Sequence, residues 1–374
     1  MSEWKDYKLG EVVTFQRGFD ITSKDLIDGI YPIVSSSGTT AWHNQFKVRQ
    51  PGVVIGRKGT LGKVYYLAHD YWPHDTTLWV KDFHGNYPLF IYYFLKTLGL
   101  GEYDVGSSNP TLNRNHIHLL PVSVPNLKIQ KDIAKTLSSL DDKIDLLHRQ
   151  NKTLEAMAET LFRQWFVEEA EESWEVGKLG DVLSVKGGTT PSTAIPEFWD
   201  GNINWTTPKD LSNHHGIYMF RTERKITELG LSKIGSGQLS IGTVLLSSRA
   251  PIGYLAINEI PVAINQGYIA ILCNKGLSNY FVYSWCKANL EEIKNSGNGS
   301  VFQEISKTTF KDLSIVIPPV NKLKDFDSVI EPTFQKIKNN QIQIESLTQM
   351  RDSLLPKLMS GEIKVNCCQY GFVE

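Results

Sequence analysis

The sequence predicts an α+β protein in which two similar mixed α/β modules are separated by two long antiparallel coiled-coil helices, with approximate two-fold symmetry. Two observations carry this. Small or apolar residues recur at Ile133, Leu137, Leu140, Ile144, Leu147, Leu154, Ala158, Leu161 and Trp165, and again at Ile330, Phe334, Ile337, Ile344, Leu347, Leu354 and Leu358. Such 4-3 spacing makes a helical seam. At about 1.5 Å per residue, Gln130–Phe166 forms a rod of roughly 55 Å, which needs a partner along its length. The second observation is that the segments preceding the two rods repeat one another, so the chain is a module and a rod, twice over.

The expected organisation is a first module over residues 1–125, a first rod over 126–170, a second module over 171–319, a second rod over 320–362 and a tail over 363–374. Lys8-Leu9-Gly10-Glu11-Val12 opens the first module and Lys178-Leu179-Gly180-Asp181-Val182 the second; Gly18 and Gly188 follow at equal distances. Ser35–Thr40, dense in small hydroxyl residues, reads as turns and exposed hydrogen-bonding groups, and Trp42 and His43 after it either pack, the commoner role, or contact a ligand. Gly52–Gly56 reads as a buried strand released into Arg57-Lys58-Gly59, matched by Gly242–Leu246 released into Ser247-Ser248-Arg249. Polar clusters follow at Pro73–Thr77 and Ile264–Gly267, then helices over Tyr87–Leu98 and Tyr280–Ile293. Glycine-rich loops at Gly106–Asn109 and Gly297–Ser300 come next. Leu112-Asn113-Arg114 and Ile305-Ser306-Lys307 lead into proline-closed strands before each rod. The seam residues Asn151 and Gln341 are polar, and such residues fix coiled-coil register at a cost in stability.

Composition narrows the chemistry. The 374 residues carry 39 Lys and Arg against 40 Asp and Glu, so any nucleic-acid surface is a local patch rather than a global charge. No apolar run approaches a membrane span, the N-terminus lacks a signal peptide's apolar core, and the four cysteines lack zinc or disulfide spacing. A cytoplasmic protein with reduced thiols is expected. Glu168, Glu169, Glu171 and Glu172 read as a solvated linker. Gly56–Val64 fails as a phosphate loop, because five residues rather than four separate Gly56 from Gly62 and Val64 replaces the metal-binding hydroxyl. Gly235-Ser236-Gly237 follows no strand, Ile317-Pro318-Pro319-Val320 lacks the flanks of a methyltransferase loop, and the histidines lack ligand spacing. No catalytic residue and no metal site is expected.

Exposed donors on a repeated scaffold remain. Arg and Lys grip guanine edges or phosphates, Asn and Gln pair with adenine, and Ser and Thr do either. The candidates for DNA contact are Arg17, Ser36, Arg57, Lys58, His74, Thr76, Asn113 and Arg114 in the first module. In the second they are Lys186, Thr189, Lys209, Ser247, Arg249, Asn265, Gln266 and Lys307. Two modules related by a two-fold axis suit half-sites spaced by about 34 Å per helical turn.

The whole chain resembles the specificity subunit of type I restriction-modification systems. Gly187–Ser192, Phe198–Trp205, Lys225-Ile226-Thr227, Ser247–Gly253, Asn265-Gln266 and the ending Arg351–Ile363 carry the likeness. The first module departs further from the family pattern. The resemblance implies two target-recognition domains, each reading one half of a bipartite double-stranded DNA site in the major groove, with the rods setting the gap. It implies no catalysis by this chain. Two methyltransferase subunits would use S-adenosylmethionine to methylate adenines, and helicase-nuclease subunits would use ATP and Mg2+. Trp165, Phe166, Leu358 and Met359 at the rod ends either dock these partners or merely close the coiled-coil core. Two other classes compete: a coiled-coil scaffold, which needs no matched polar loops, and a self-contained enzyme, which lacks its motifs.

Overall fold

The computed structural model describes residues 3–103, 110–212, 216–299 and 303–365. Residues 106–109, Ser300, His214, His215, Cys367 and Cys368 lie outside them. Two compact units result, one of residues 1–144 with 346–374 and the other of residues 145–345. The division falls inside the two long helices, Leu127–Arg163 and Val320–Met359.

In the first unit, strand Trp4–Lys8 pairs antiparallel with Pro121–Pro125. An antiparallel four-stranded sheet runs in the order Thr14–Arg17, Thr77–Asp82, Gly52–Gly56 and Val64–Leu67. A second sheet of three strands has Tyr31–Ser35 between Gly38–His43 and Trp72–Pro73. Every residue of Gly52–Gly56 is buried, which explains its uninterrupted apolar run. Helix Pro88–Lys96 closes the core with Phe90 and Phe94. Ile133 and Leu137 of the first long helix and Leu358 and Met359 of the second fill the same cluster. Here Tyr93 Oη donates to Asp141 at 2.6 Å and Arg351 donates to the same carboxylate at 2.8 Å, tying both long helices to the module.

In the second unit, Glu175–Lys178 pairs with Ser314–Ile317. Five strands run in the order Ser184–Lys186, Tyr268–Leu272, Val244–Ser247, Leu255–Asn258 and Tyr218–Met219. Trp199–Thr206 lies between Arg224–Ile226 and Ala263–Ile264. The expected helix over Tyr280–Ile293 is two, Asn279–Ala288 and Leu290–Asn295, divided at Asn289. Phe162 from the first long helix, Phe166 from the π-helical turn Gln164–Glu168 that continues it, and Phe326 and Phe334 from the second enter the core beside Phe281. Asn340 Nδ2 donates to Asn151 Oδ1 at 2.9 Å within the seam. Gln341 turns out of the seam instead, its Oε1 accepting from the Ile217 and Tyr218 amides at 3.1 Å. Residue numbers run in opposite senses along the two helices, as antiparallel packing requires.

The modules repeat in detail. Glu11 caps Lys8 N in one and Asp181 caps Lys178 N in the other. A Cβ at Gly18 would stand 2.1 Å from His74 O and one at Gly188 1.8 Å from Ile264 O, so each glycine admits a backbone that a side chain would exclude.

Two local expectations need correction. Ser35–Thr40 is a tight hairpin whose second strand starts at Gly38, because Ser35 and Gly38 close the ladder around Ser36 and Ser37. Trp42 does not pack: it is 55% exposed on that strand's outer face, while His43 is buried and bonded to Ile27.

Candidate nucleic-acid interface

Both modules build one polar loop cluster on the same hydrogen-bonded frame. In the first, Gly56 N donates to Lys63 O, Gly62 N to Gly56 O, Arg57 N to Thr76 O and Leu112 N to Arg57 O. In the second, Ser247 N donates to Tyr254 O, Gly253 N to Ser247 O, Ser248 N to Gly267 O and Ile305 N to Ser248 O. His74 N bonds Val34 O as Asn265 N bonds Thr206 O. Backbone bridges link Lys58 to Thr111 and Arg249 to Glu304. Lys58 and Arg249 are therefore structurally equivalent, as are His74 and Asn265, Thr76 and Gly267, and Arg114 and Lys307. The backbone is common and the side chains differ.

The first cluster gathers Arg17, Arg57, Lys58, His74 and Thr76. Arg17 donates to Asp75 Oδ2 at 2.7 Å, and His74 Nδ1 lies 2.9 Å from Thr76 Oγ1. Burial works against the Asp75 charge, but the Arg17 bond and the nearby His74 and Lys58 overcome it and hold the carboxyl below its ordinary range. Burial, then the neighbouring Arg17 guanidinium, lowers Arg57's pKa. Arg57 Nη1 is closed off from solvent with no hydrogen-bond partner among the described residues. The first cluster is thus a set of crowded cations around the Asp75 carboxylate, with Asp20 close to it. Asn113 and Arg114 stand exposed beside it, Asn113 Oδ1 capping a short helix through Asn115 N. Asp20, His74 and Asp75 place ligand atoms within 4.8 Å of one another, a grouping the sequence spacing did not announce. Arg17, Arg57 and Lys58 beside it oppose a divalent cation.

In the second cluster Arg249 lies 3.5 Å from Glu304, with side chains 38% and 46% exposed. Gln266 is exposed, its Oε1 accepting from Thr190. Asn265 Oδ1 accepts from Gly267 N, which shapes its turn. Thr189 donates to Lys233 O and Lys186 to Ser236 O. Lys307 opens a helix capped by Ser306, and its ammonium lies over Gly187. Lys209 is exposed and pairs with Glu223.

The structure corrects several candidates. Ser247 is fully buried at the position equivalent to Gly56; its hydroxyl donates to Pro251 O and accepts from Tyr254 N, so it holds a turn. Ser36 is also buried, its amide donating to Thr76 Oγ1 and its carbonyl accepting from Tyr65 Oη. Phe166, Leu358 and Met359 are buried in the module cores, and Trp165 is half-buried against Phe326, so these side chains pack and do not present a docking face. The carboxylates Asp75 and Glu304 also stand in these clusters, and loop position with donor chemistry did not mark them.

A sequence model of the family described as "Type I restriction modification DNA specificity domain" matches residues 1–156 and 171–349. The chain is 37% identical over 194 residues to the type I restriction enzyme MjaIX specificity subunit of Methanocaldococcus jannaschii, covering 51% of this chain and 45% of that one. It thus spans under half the length of that relative. With the HindI specificity subunit of Haemophilus influenzae it shares 21% identity, covering 97% of this chain and 100% of that one. The crystal structure of a type I restriction-modification S subunit from M. genitalium shares the fold, with a TM-score of 0.65, 17% identity and coverage of 95% and 96%.

Proposed function

The chain belongs to the type I restriction-modification DNA specificity family, and from that premise we propose that it reads a bipartite DNA sequence, one half-site per module. The observation that carries this is the common hydrogen-bonded frame, on which the two modules present different side chains at equivalent positions. A constant backbone with variable donors and acceptors suits two reading heads for two different sequences. A scaffold built on the two long helices needs no such matched loops.

In this reading Arg57, Lys58, His74 and Thr76 face the first half-site, with Arg17 oriented by Asp75 and with Asn113 and Arg114 at the margin. Arg249, Asn265, Gln266 and Lys307 face the second, with Lys186, Thr189 and Lys209 at its margin. The lengths of Leu127–Arg163 and Val320–Met359 set the unread gap. The chain performs no chemistry itself. Two modification subunits carry S-adenosylmethionine and methylate adenines, and helicase-nuclease subunits carry ATP and Mg2+. These partners dock on exposed faces of the long helices rather than on the buried aromatic ends.

Selection from a random duplex library by the chain assembled with type I modification subunits tests the proposal. Enrichment of two short motifs at a fixed separation is expected. Recovery of one contiguous motif, or of unselected sequence, overturns it.

A further inference from the structure

We propose that Arg249 and Glu304 together read one G·C base pair of the second half-site, Arg249 donating to guanine O6 and N7 and Glu304 accepting from cytosine N4. The inference rests on the reading role given above. It goes further by naming the base pair and by assigning Glu304, which no search for donors selects.

Three observations support it. Arg249 and Glu304 are joined by an isolated antiparallel backbone bridge, so the two side chains leave adjacent loop segments at one level. Their charged ends stand 3.5 Å apart and remain about two-fifths exposed, which leaves both able to take further hydrogen bonds. Such an exposed pair adds little to stability, so the fold does not require it. Finally, the equivalent position in the first module pairs Lys58 with Thr111 and carries no carboxylate. A carboxylate repels phosphate, and its favourable partner on a DNA surface is the cytosine amino group. The neighbouring guanidinium matches the guanine edge of that same base pair and keeps the carboxylate aligned. The slot is therefore a specificity position whose occupants differ because the two half-sites differ.

The test uses the chain assembled with its modification subunits and a duplex bearing its selected site. Each G·C pair of the second half-site is replaced in turn by A·T, and affinity is measured by competition. One position should cost the unmodified complex about 5- to 150-fold. In Glu304→Ala that cost should fall part of the way, and in Arg249→Ala/Glu304→Ala it should shrink toward unity, alanine being used at 249 because a lysine there would still grip guanine. The costs at first half-site positions and the gap should stay unchanged. Those unchanged costs also report that the variants are folded. Costs at every second half-site position that ignore both variants would overturn the inference and leave bipartite reading intact. A uniform loss on cognate and unrelated DNA would also overturn it, assigning Arg249 to phosphate. An unmodified complex with no sequence preference would remove the reading role itself, and the inference with it.

Discussion

The Asn151–Asn340 pair is a sharp test of how the long helices hold their register. The two amides meet at 2.9 Å, and Asn151 and Asn340 are 6% and 1% exposed among apolar seam neighbours. Asn340→Leu removes the donor and leaves Asn151 Oδ1 in an apolar seam, which should cost about 1–3 kcal/mol. Asn151→Leu should cost a similar amount for the mirrored reason. Replacing both leaves no orphaned amide, so the double variant should be at least as stable as either single one, a coupling of about 1–3 kcal/mol. The assay is equilibrium urea unfolding of the full chain, with hydrogen exchange followed over residues 145–163 and 320–345. Additive losses, or single changes within about 0.5 kcal/mol of the parent, would refute the argument. The double variant should also lose register specificity, read as broader exchange along both segments.

Other consequences are more local. Gly18→Ala and Gly188→Ala should each lower stability by about 1–3 kcal/mol or more, because the added methyl meets a backbone carbonyl in both modules; thermal unfolding checks this. Burial, then Arg114, lowers the His118 pKa, and its Nε2 accepts from Phe15 N. Its contribution should be fully present above the unfolded value of about 6.5 and be lost as pH falls through the lower folded value. An imidazole titration by NMR, with the unfolding midpoint followed from pH 7.5 to 5, tests the sign; a folded value above about 6.5 would reverse it. Asp75→Asn removes the anion that orients Arg17, so binding to unrelated DNA should strengthen and depend more steeply on salt, while cognate preference falls. Unchanged salt dependence would remove Arg17 from the DNA surface.

The long elements were legible because their signals are periodic. Ile133, Leu137, Ile330 and Phe334 mark seams that need no tertiary knowledge, and the openings at Lys8 and Lys178 expose the repeat. Asn151 was legible as a polar seam residue, but its partner was not: the heptad spacing marks Gln341 as the polar position of the second rod without saying what it meets, whereas helix phase also buries Asn340, which bonds Asn151, and Gln341 finds backbone amides at Ile217 and Tyr218. Phe166, Leu358 and Met359 read as docking residues because exposure cannot be judged from bulk alone; each long helix ends inside a module core. Ser247 shows the same limit for loops. A hydroxyl after a strand looks free until the chain turns back and uses it. Glu304 was hidden because its meaning depends on Arg249, far away in sequence.

The proposed function has two modules reading two half-sites at a fixed separation. The most direct measurement is to co-express the chain with a type I modification subunit that assembles with it and map methylated adenines across the host DNA by single-molecule sequencing. The expected result is one split motif with a constant gap, whose second half relaxes in part at a single G·C position in Glu304→Ala. Methylation at a contiguous motif, or at no motif while the complex is intact, would contradict it.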